Sequence, residues 1–126
     1  SQGMRQRVAL ARTFSLQSAQ LFLDEPFGAL DAQTKLVLQD KLLSLWDRYR
    51  STVVLVTHDL AEAVALSDRV IVMSARPGRI VADVAIDLPR PRSVRALQSL
   101  RAYHDTYARL WQELERAAGA ADVDAA

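Results

Sequence analysis

Leu21-Phe22-Leu23 runs into Asp24-Glu25-Pro26, and further along Val53-Val54-Leu55-Val56 runs into Thr57-His58-Asp59. Each is a short apolar run that stops at polar residues, and runs that short read as buried strands. Pro26 has no N–H to give a ladder, so the first strand is expected to end there. The second is apolar and mostly β-branched, the pattern of a strand covered on both faces in a parallel sheet. Some of the residues that would cover it are expected upstream of this chain. Between the two runs, residues 32–50 carry Leu38, Leu42, Leu45 and Tyr49 at helical spacing. The alternation of strand and helix through 20–73 predicts an α/β domain with a mainly parallel sheet and flanking helices. Such sheets bind ligands beyond the C-terminal ends of their strands. Asp24-Glu25 and Thr57-His58-Asp59 stand at two of those ends.

Outward from this unit the pattern continues. Residues 4–14 read as a helix with Met4, Val8, Ala11 and Phe14 on one stripe, and Ser1 is its expected N-cap. A helix is expected over 60–66, capped by Asp59, with Glu62 at capping-box spacing. Residues 70–73 and 79–86 read as antiparallel strands joined at Pro77-Gly78, which suit a type II turn. Leu88-Pro89-Arg90-Pro91-Arg92 reads as a linker. A long amphipathic helix is expected over 93–117, and a frayed tail over 117–126. The division is therefore 1–87 for the α/β part and 88–126 for linker, C-terminal helix and tail.

Composition narrows the function. The 126 residues are 50% hydrophobic and 25% charged, an ordinary globular balance. Sixteen Lys and Arg against fifteen Asp and Glu give a net charge of +1, with no basic footprint for nucleic acid. Cysteine is absent, which excludes disulfides and thiolate chemistry. No apolar run approaches the roughly 20 residues of a membrane-spanning helix. The chain opens on Ser1, not Met, within polar sequence dense in information, as a piece of a longer chain would.

The polar residues at the strand ends can carry chemistry. Adjacent strand residues point to opposite faces, so Asp24 and Glu25 can do different work. One carboxylate can hold a divalent cation together with substrate phosphates, and the other can orient or deprotonate a water. The plainer alternative is a helix-capping Asp and a solvated Glu. His58 can donate one hydrogen bond to a phosphate oxygen, or it can be structural. Ser1 and Gly3 precede a helix whose N-terminus favours anions, and Gly3 permits close approach. The plainer alternative there is a simple N-cap.

The order of these stretches adds to their separate readings. Ser1-Gln2-Gly3-Met4-Arg5-Gln6-Arg7, Leu21–Glu25, Gly28-Ala29-Leu30-Asp31 and Thr57-His58-Asp59 follow one another as signature motif, Walker B, D-loop and H-loop do. The chain resembles the C-terminal half of an ABC transporter ATP-binding subunit. The stretches Met73–Ile80 and Leu88–Arg92 resemble the nitrate, sulfonate and taurine importer group. The resemblance implies an incomplete P-loop NTPase-like fold that binds and hydrolyses ATP with Mg²⁺. Asp24 would hold the metal, Glu25 would be the general base or the water-positioning residue, and His58 would contact the γ-phosphate. Asp31 would couple two subunits. Ser1 and Gly3 would bind the γ-phosphate of ATP held by a partner. Gln2 stands where the family most often has Gly.

The implied partners are a second ATP-binding subunit in a head-to-tail dimer, a membrane permease subunit and, indirectly, an extracytoplasmic substrate-binding protein. Nucleic acid is not among them. The implied location is peripheral, on the cytoplasmic face of the membrane. The alternatives are a non-catalytic truncated form acting as an interaction module, and a soluble non-transport ABC ATPase. The phosphate loop G-x-x-x-x-G-K-[ST] does not occur among these residues, because Gly3, Gly28, Gly78 and Gly119 are the only glycines and none fits. The chain alone is therefore expected to be catalytically incompetent.

Overall fold

A computed structural model describes residues 2–16 and 18–125, with side chains over 3–16 and 18–119. In chain order the elements are α1 (Gln2–Ser15), β1 (Gln20–Asp24), α2 (Ala32–Tyr49), β2 (Thr52–Val56), α3 (Leu60–Leu66), β3 (Arg69–Met73), β4 (Ile80–Ala85), α4 (Val94–Leu97) and α5 (Arg101–Ala125). β1 pairs with β2 in parallel, and β3 pairs with β4 antiparallel. The expected α/β class holds, with a small parallel sheet, flanking helices and a C-terminal helix.

The parallel register is set at the entry to the strands. Thr52 N–H donates to Ala19 O at 2.9 Å, and Ser51 Oγ donates to Ser18 O at 3.0 Å. From there Leu21 faces Val53, Phe22 faces Val54 and Asp24 faces Val56. One face of the pair is covered. Leu21 packs with Leu10, Phe14, Phe27, Leu38, Leu42 and Leu45, and Leu23 and Val53 lie against the same cluster. The other face is open. Phe22 is 75% exposed, Val54 45% and Val56 55%. Val53–Val56 reads as a strand with cover on both faces, part of it expected upstream; among the described residues no element lies over the second face.

Helix α1 also departs from its predicted stripe. Leu10 and Phe14 are buried, whereas Met4 and Val8 are exposed. The apolar side chains that α1 buries come from its later turns, where they pack with Leu21 of β1 and with Leu38, Leu42 and Leu45 of α2. Along α2, Leu38, Leu42 and Leu45 serve this core, while Leu43 belongs to a second one. That second core joins Val64, Val72, Val84, Leu97, Tyr103 and Leu110 from α3, β3, β4, α4 and α5. Helix α2 therefore carries side chains into both.

The β3–β4 connection is not the predicted type II turn, because such a turn needs a positive φ at its glycine and Gly78 has none. Ser74 closes the loop instead. Its N–H donates to Arg79 O at 2.8 Å, its Oγ donates to Pro77 O at 3.0 Å, and Oγ accepts Arg79 N–H at 3.1 Å.

The helix expected over 93–117 is broken. Gln98 Nε2 takes Val94 O at 3.1 Å, the carbonyl that the α-helical ladder would assign to the Gln98 N–H. That N–H turns to Arg95 O at 3.2 Å, and the chain re-enters a helix at Arg101. Over the stretch expected to fray, 117–126, α5 runs on to Ala125 and Ala117 is buried, while Ala126 lies outside the described residues.

The stretch 88–92 is fastened down. Leu88 and Arg92 are both buried. The Arg92 guanidinium donates to four carbonyls: Ser67 O at 2.7 Å, Leu88 O at 3.1 Å, Ala65 O at 3.3 Å and Ile86 O at 3.5 Å. Burial pushes the Arg92 pKa down to about 10. Arg90 bonds Asp68 Oδ1 at 2.8 Å and lies over the Trp46 ring at 4.3 Å.

Two outcomes are expected of the 126-residue chain. The exposed Phe22, Val54 and Val56 should make the chain self-associate in sedimentation velocity, and Phe22→Ser should reduce this with little change in melting, since an exposed side chain has little burial to lose. Arg92→Ala should cost about 3 kcal/mol in urea denaturation by orphaning buried carbonyls, and Arg92→Lys should not restore it, since an ammonium cannot span them.

Candidate functional site

The parallel register carries Asp24 and Val56 to the same level at the ends of β1 and β2. Glu25 extends the pairing by one bond, its N–H donating to Val56 O at 2.7 Å. At Glu25 the backbone takes φ of +44°, a left-handed conformation that costs a side-chain-bearing residue about 1–3 kcal/mol. The chain beyond holds it there. Gly28 N–H donates to Glu25 O at 3.2 Å, Phe27 is buried, and Gln6 Nε2 reaches from α1 to Pro26 O at 3.0 Å.

With the backbone so held, Glu25 Oε1 meets His58 Nδ1 at 2.6 Å. The two predicted catalytic side chains, far apart in sequence, are thus in contact. Both remain open to solvent, at 44% and 80% side-chain exposure. The hydrogen bond and charge of Glu25 raise the His58 pKa above its ordinary 6.5; desolvation opposes them, and Asp59 and Glu62 add smaller help. Asp24 stands beside them on the exposed face of β1, and its carboxylate has no partner among the described residues. Among those residues no group of three or more His, Asp or Glu forms a ready metal cage. One unpartnered carboxylate does suit a cation that draws its other ligands from substrate phosphates and water.

The other predicted residues lie elsewhere. Asp31 caps α2, its Oδ1 accepting Thr34 N–H at 2.7 Å. Hydrogen bonding by Thr34, side chain first and then backbone, lowers the Asp31 pKa. Gly3 and Asp31 line one open groove of about 590 Å³, together with Arg7, Leu30 and Thr34. A Cβ on Gly3 would stand 2.6 Å from Thr34 Cγ2, so the glycine serves the approach of α1 to α2. Ser1 lies outside the described residues.

Three features escape the sequence reading. Gln6 sits on α1 without any pattern that marks it as a tether for the Glu25-Pro26 turn. Lys35 pairs with Asp59 at 3.5 Å, joining α2 to the turn that holds His58. The predicted capping box at Asp59 and Glu62 forms with a relay. Glu62 N–H donates to Asp59 Oδ1 at 3.2 Å, as the box requires. The Glu62 carboxylate, however, accepts Thr57 Oγ1 at 2.9 Å, and that hydroxyl accepts Asp59 N–H at 3.0 Å. A hydroxyl residue two positions ahead of the cap was the available signal. Among the described residues no helix is long and apolar enough to cross a membrane.

Comparison with known proteins gives one consistent result. No family model matches the chain. It is 53% identical over 100 residues to an uncharacterized ABC transporter ATP-binding protein of Methanocaldococcus jannaschii, covering 79% of this chain and 38% of that protein. It is 43% identical over 116 residues to the aliphatic sulfonates import ATP-binding protein SsuB of Bacillus cereus, covering 92% of this chain and 45% of that one. It is 45% identical over 106 residues to the bicarbonate transport ATP-binding protein CmpD of Synechococcus elongatus, covering 83% and 38%. The chain spans less than half the length of each of these relatives. With the α/β fold already on view, this similarity identifies the chain as belonging to the ABC transporter ATP-binding proteins.

Proposed function

We propose that the protein containing this chain binds and hydrolyses ATP as a subunit of an ABC-type importer, coupling hydrolysis to substrate uptake. The observation that carries this reading is the contact of Glu25 with His58 beside the unpartnered Asp24, at the C-terminal ends of two parallel strands. The relatives that import sulfonates and transport bicarbonate favour a small-anion importer.

Glu25 spends Oε1 on His58 and keeps Oε2 to take a proton from an attacking water. His58 meets Glu25 through Nδ1. A neutral ring that donates there has only an acceptor at Nε2, whereas a protonated ring donates from both nitrogens. The raised pKa favours the protonated form, which can hold a γ-phosphate oxygen through Nε2 while remaining bonded to Glu25. Asp24 would hold Mg²⁺, which when bound supplies positive charge to the phosphates. Residues 1–87 would carry this machinery, with Ser1 and Gly3 acting on nucleotide held by a second ATP-binding subunit and Asp31 at the interface between them. The permease, the extracytoplasmic binding protein and a position at the cytoplasmic face of the membrane follow from the importer reading.

The 126-residue chain contains no phosphate loop, so calorimetry on it should find no saturable binding at micromolar ATP. In the complete subunit, Glu25→Gln should lower hydrolysis by about 10²–10⁴-fold while preserving ATP-dependent dimerisation. Unchanged turnover would remove Glu25 from the role of base.

The pair also predicts a pH signature. His58 has a raised folded pKa, so its contribution to stability is fully present below about pH 6.5 and is lost as pH rises through the raised value. The difference in melting temperature between the native chain and Glu25→Gln should therefore be larger at about pH 5.5 than at about pH 9, on either side of the histidine range.

A further inference from the structure

Glu62 is a carboxylate in an unusual place. It lies in the first turn of α3 and is only 5% exposed. Its Oε1 is buried with no hydrogen-bond partner, and its Oε2 accepts the Thr57 hydroxyl. A buried carboxylate with half its acceptors unmet is costly to keep. The relayed capping box engages Oε2 through the Thr57 hydroxyl and leaves Oε1 unexplained.

The hydrogen bonds around Glu62 form a closed circuit. The Thr57 hydroxyl has one proton, and it goes to Glu62 Oε2. With that proton committed, the hydroxyl oxygen faces Asp59 N–H and accepts it. Asp59 Oδ1 then returns to Glu62 N–H. The circuit grips the backbone on both sides of His58. The imidazole itself is exposed, and Glu25 is its one hydrogen-bonding partner among the described residues. Its place is therefore set by that bond and by the backbone that the circuit holds.

We infer that Glu62 is a positioning residue for the Glu25–His58 pair, acting through the Thr57 hydroxyl to fix the turn from which His58 projects. This rests on the reading of that pair given above. The groups facing Glu62 are Lys35 from α2 and Asp59 and His58 from the turn. Burial raises the Glu62 pKa, and the Thr57 bond opposes the rise. A neutral side chain that still accepts from Thr57 should therefore serve in its place.

The test is titration of the two histidines of the 126-residue chain by NMR, with His104 on α5 as the second signal. In the native chain His58 should titrate above 6.5. Glu62→Gln keeps an acceptor for Thr57 and should retain the raised value. Glu62→Ala should return it toward 6.5. Thr57→Val removes both hydroxyl bonds at nearly constant volume, so it should do the same and decides the matter should Glu62→Ala fail to fold. A folded Thr57→Val chain with His58 still raised would overturn the role of Glu62. Glu25→Gln is the control on the underlying reading. If it leaves the His58 titration unmoved, the pair itself is not formed. If it lowers the titration while Thr57→Val does not, the pair stands and the positioning role falls.

Discussion

Leu21 faces Val53 and Asp24 faces Val56 across the parallel pair, and the contact of Glu25 with His58 hangs on this register. A slip of one residue would invert every side chain of β1 relative to the core. It would also move Glu25 away from His58, because the left-handed turn at Glu25 is tied to Val56 O. The register is secured at its start by Ser51 and Thr52 bonding back to Ser18 and Ala19, and along its length by Leu21 in the core. The turn that would otherwise relax is pinned by Phe27 below and Gln6 beside it. The strain at the candidate base is thus supported by ordinary packing some distance from any reacting atom.

Much of this was legible in the residues. Short apolar runs ending in Asp-Glu and Thr-His-Asp predict strands whose ends carry chemistry, and parallel pairing then joins Glu25 to His58. Helix α2 was legible from its leucines. What the sequence hides is what lies on the far side of an element. Val53–Val56 reads as doubly covered because apolar composition reports a need for cover, and the described residues supply it on one face only. Met4 and Val8 share a helical stripe, yet the side chains that α1 buries are Leu10 and Phe14. The break before α5 turns on a side-chain amide taking a backbone carbonyl, which periodicity cannot see. Gly3 fits two readings from sequence, phosphate approach and close packing, and the contact with Thr34 displays the second directly.

The two cores divide the labour of stability. One holds α1 and β1 to α2, and the other holds α3, β3, β4, α4 and α5 together. Arg92 reinforces the second from within, binding the carbonyls of Ala65, Ser67, Ile86 and Leu88 that the end of α3 and the exit from β4 leave unpaired. A guanidinium suits the task because its donors lie in one plane and spread widely. Burying it is tolerable only because so many acceptors converge on it.

The first turn of α2 has a mechanical consequence. Asp31 and Thr34 border the open groove at Gly3, and Lys35, the next residue, holds Asp59 in the His58 turn. A helical turn is stiff, since its backbone bonds fix neighbouring residues together. Thr34 and Lys35 are neighbours on that turn, so a wall of the groove and the ion pair to Asp59 share one support. The first turn of α2 is therefore common framework to the groove and to the turn that carries His58, so a substitution that unwound it would disturb both at once.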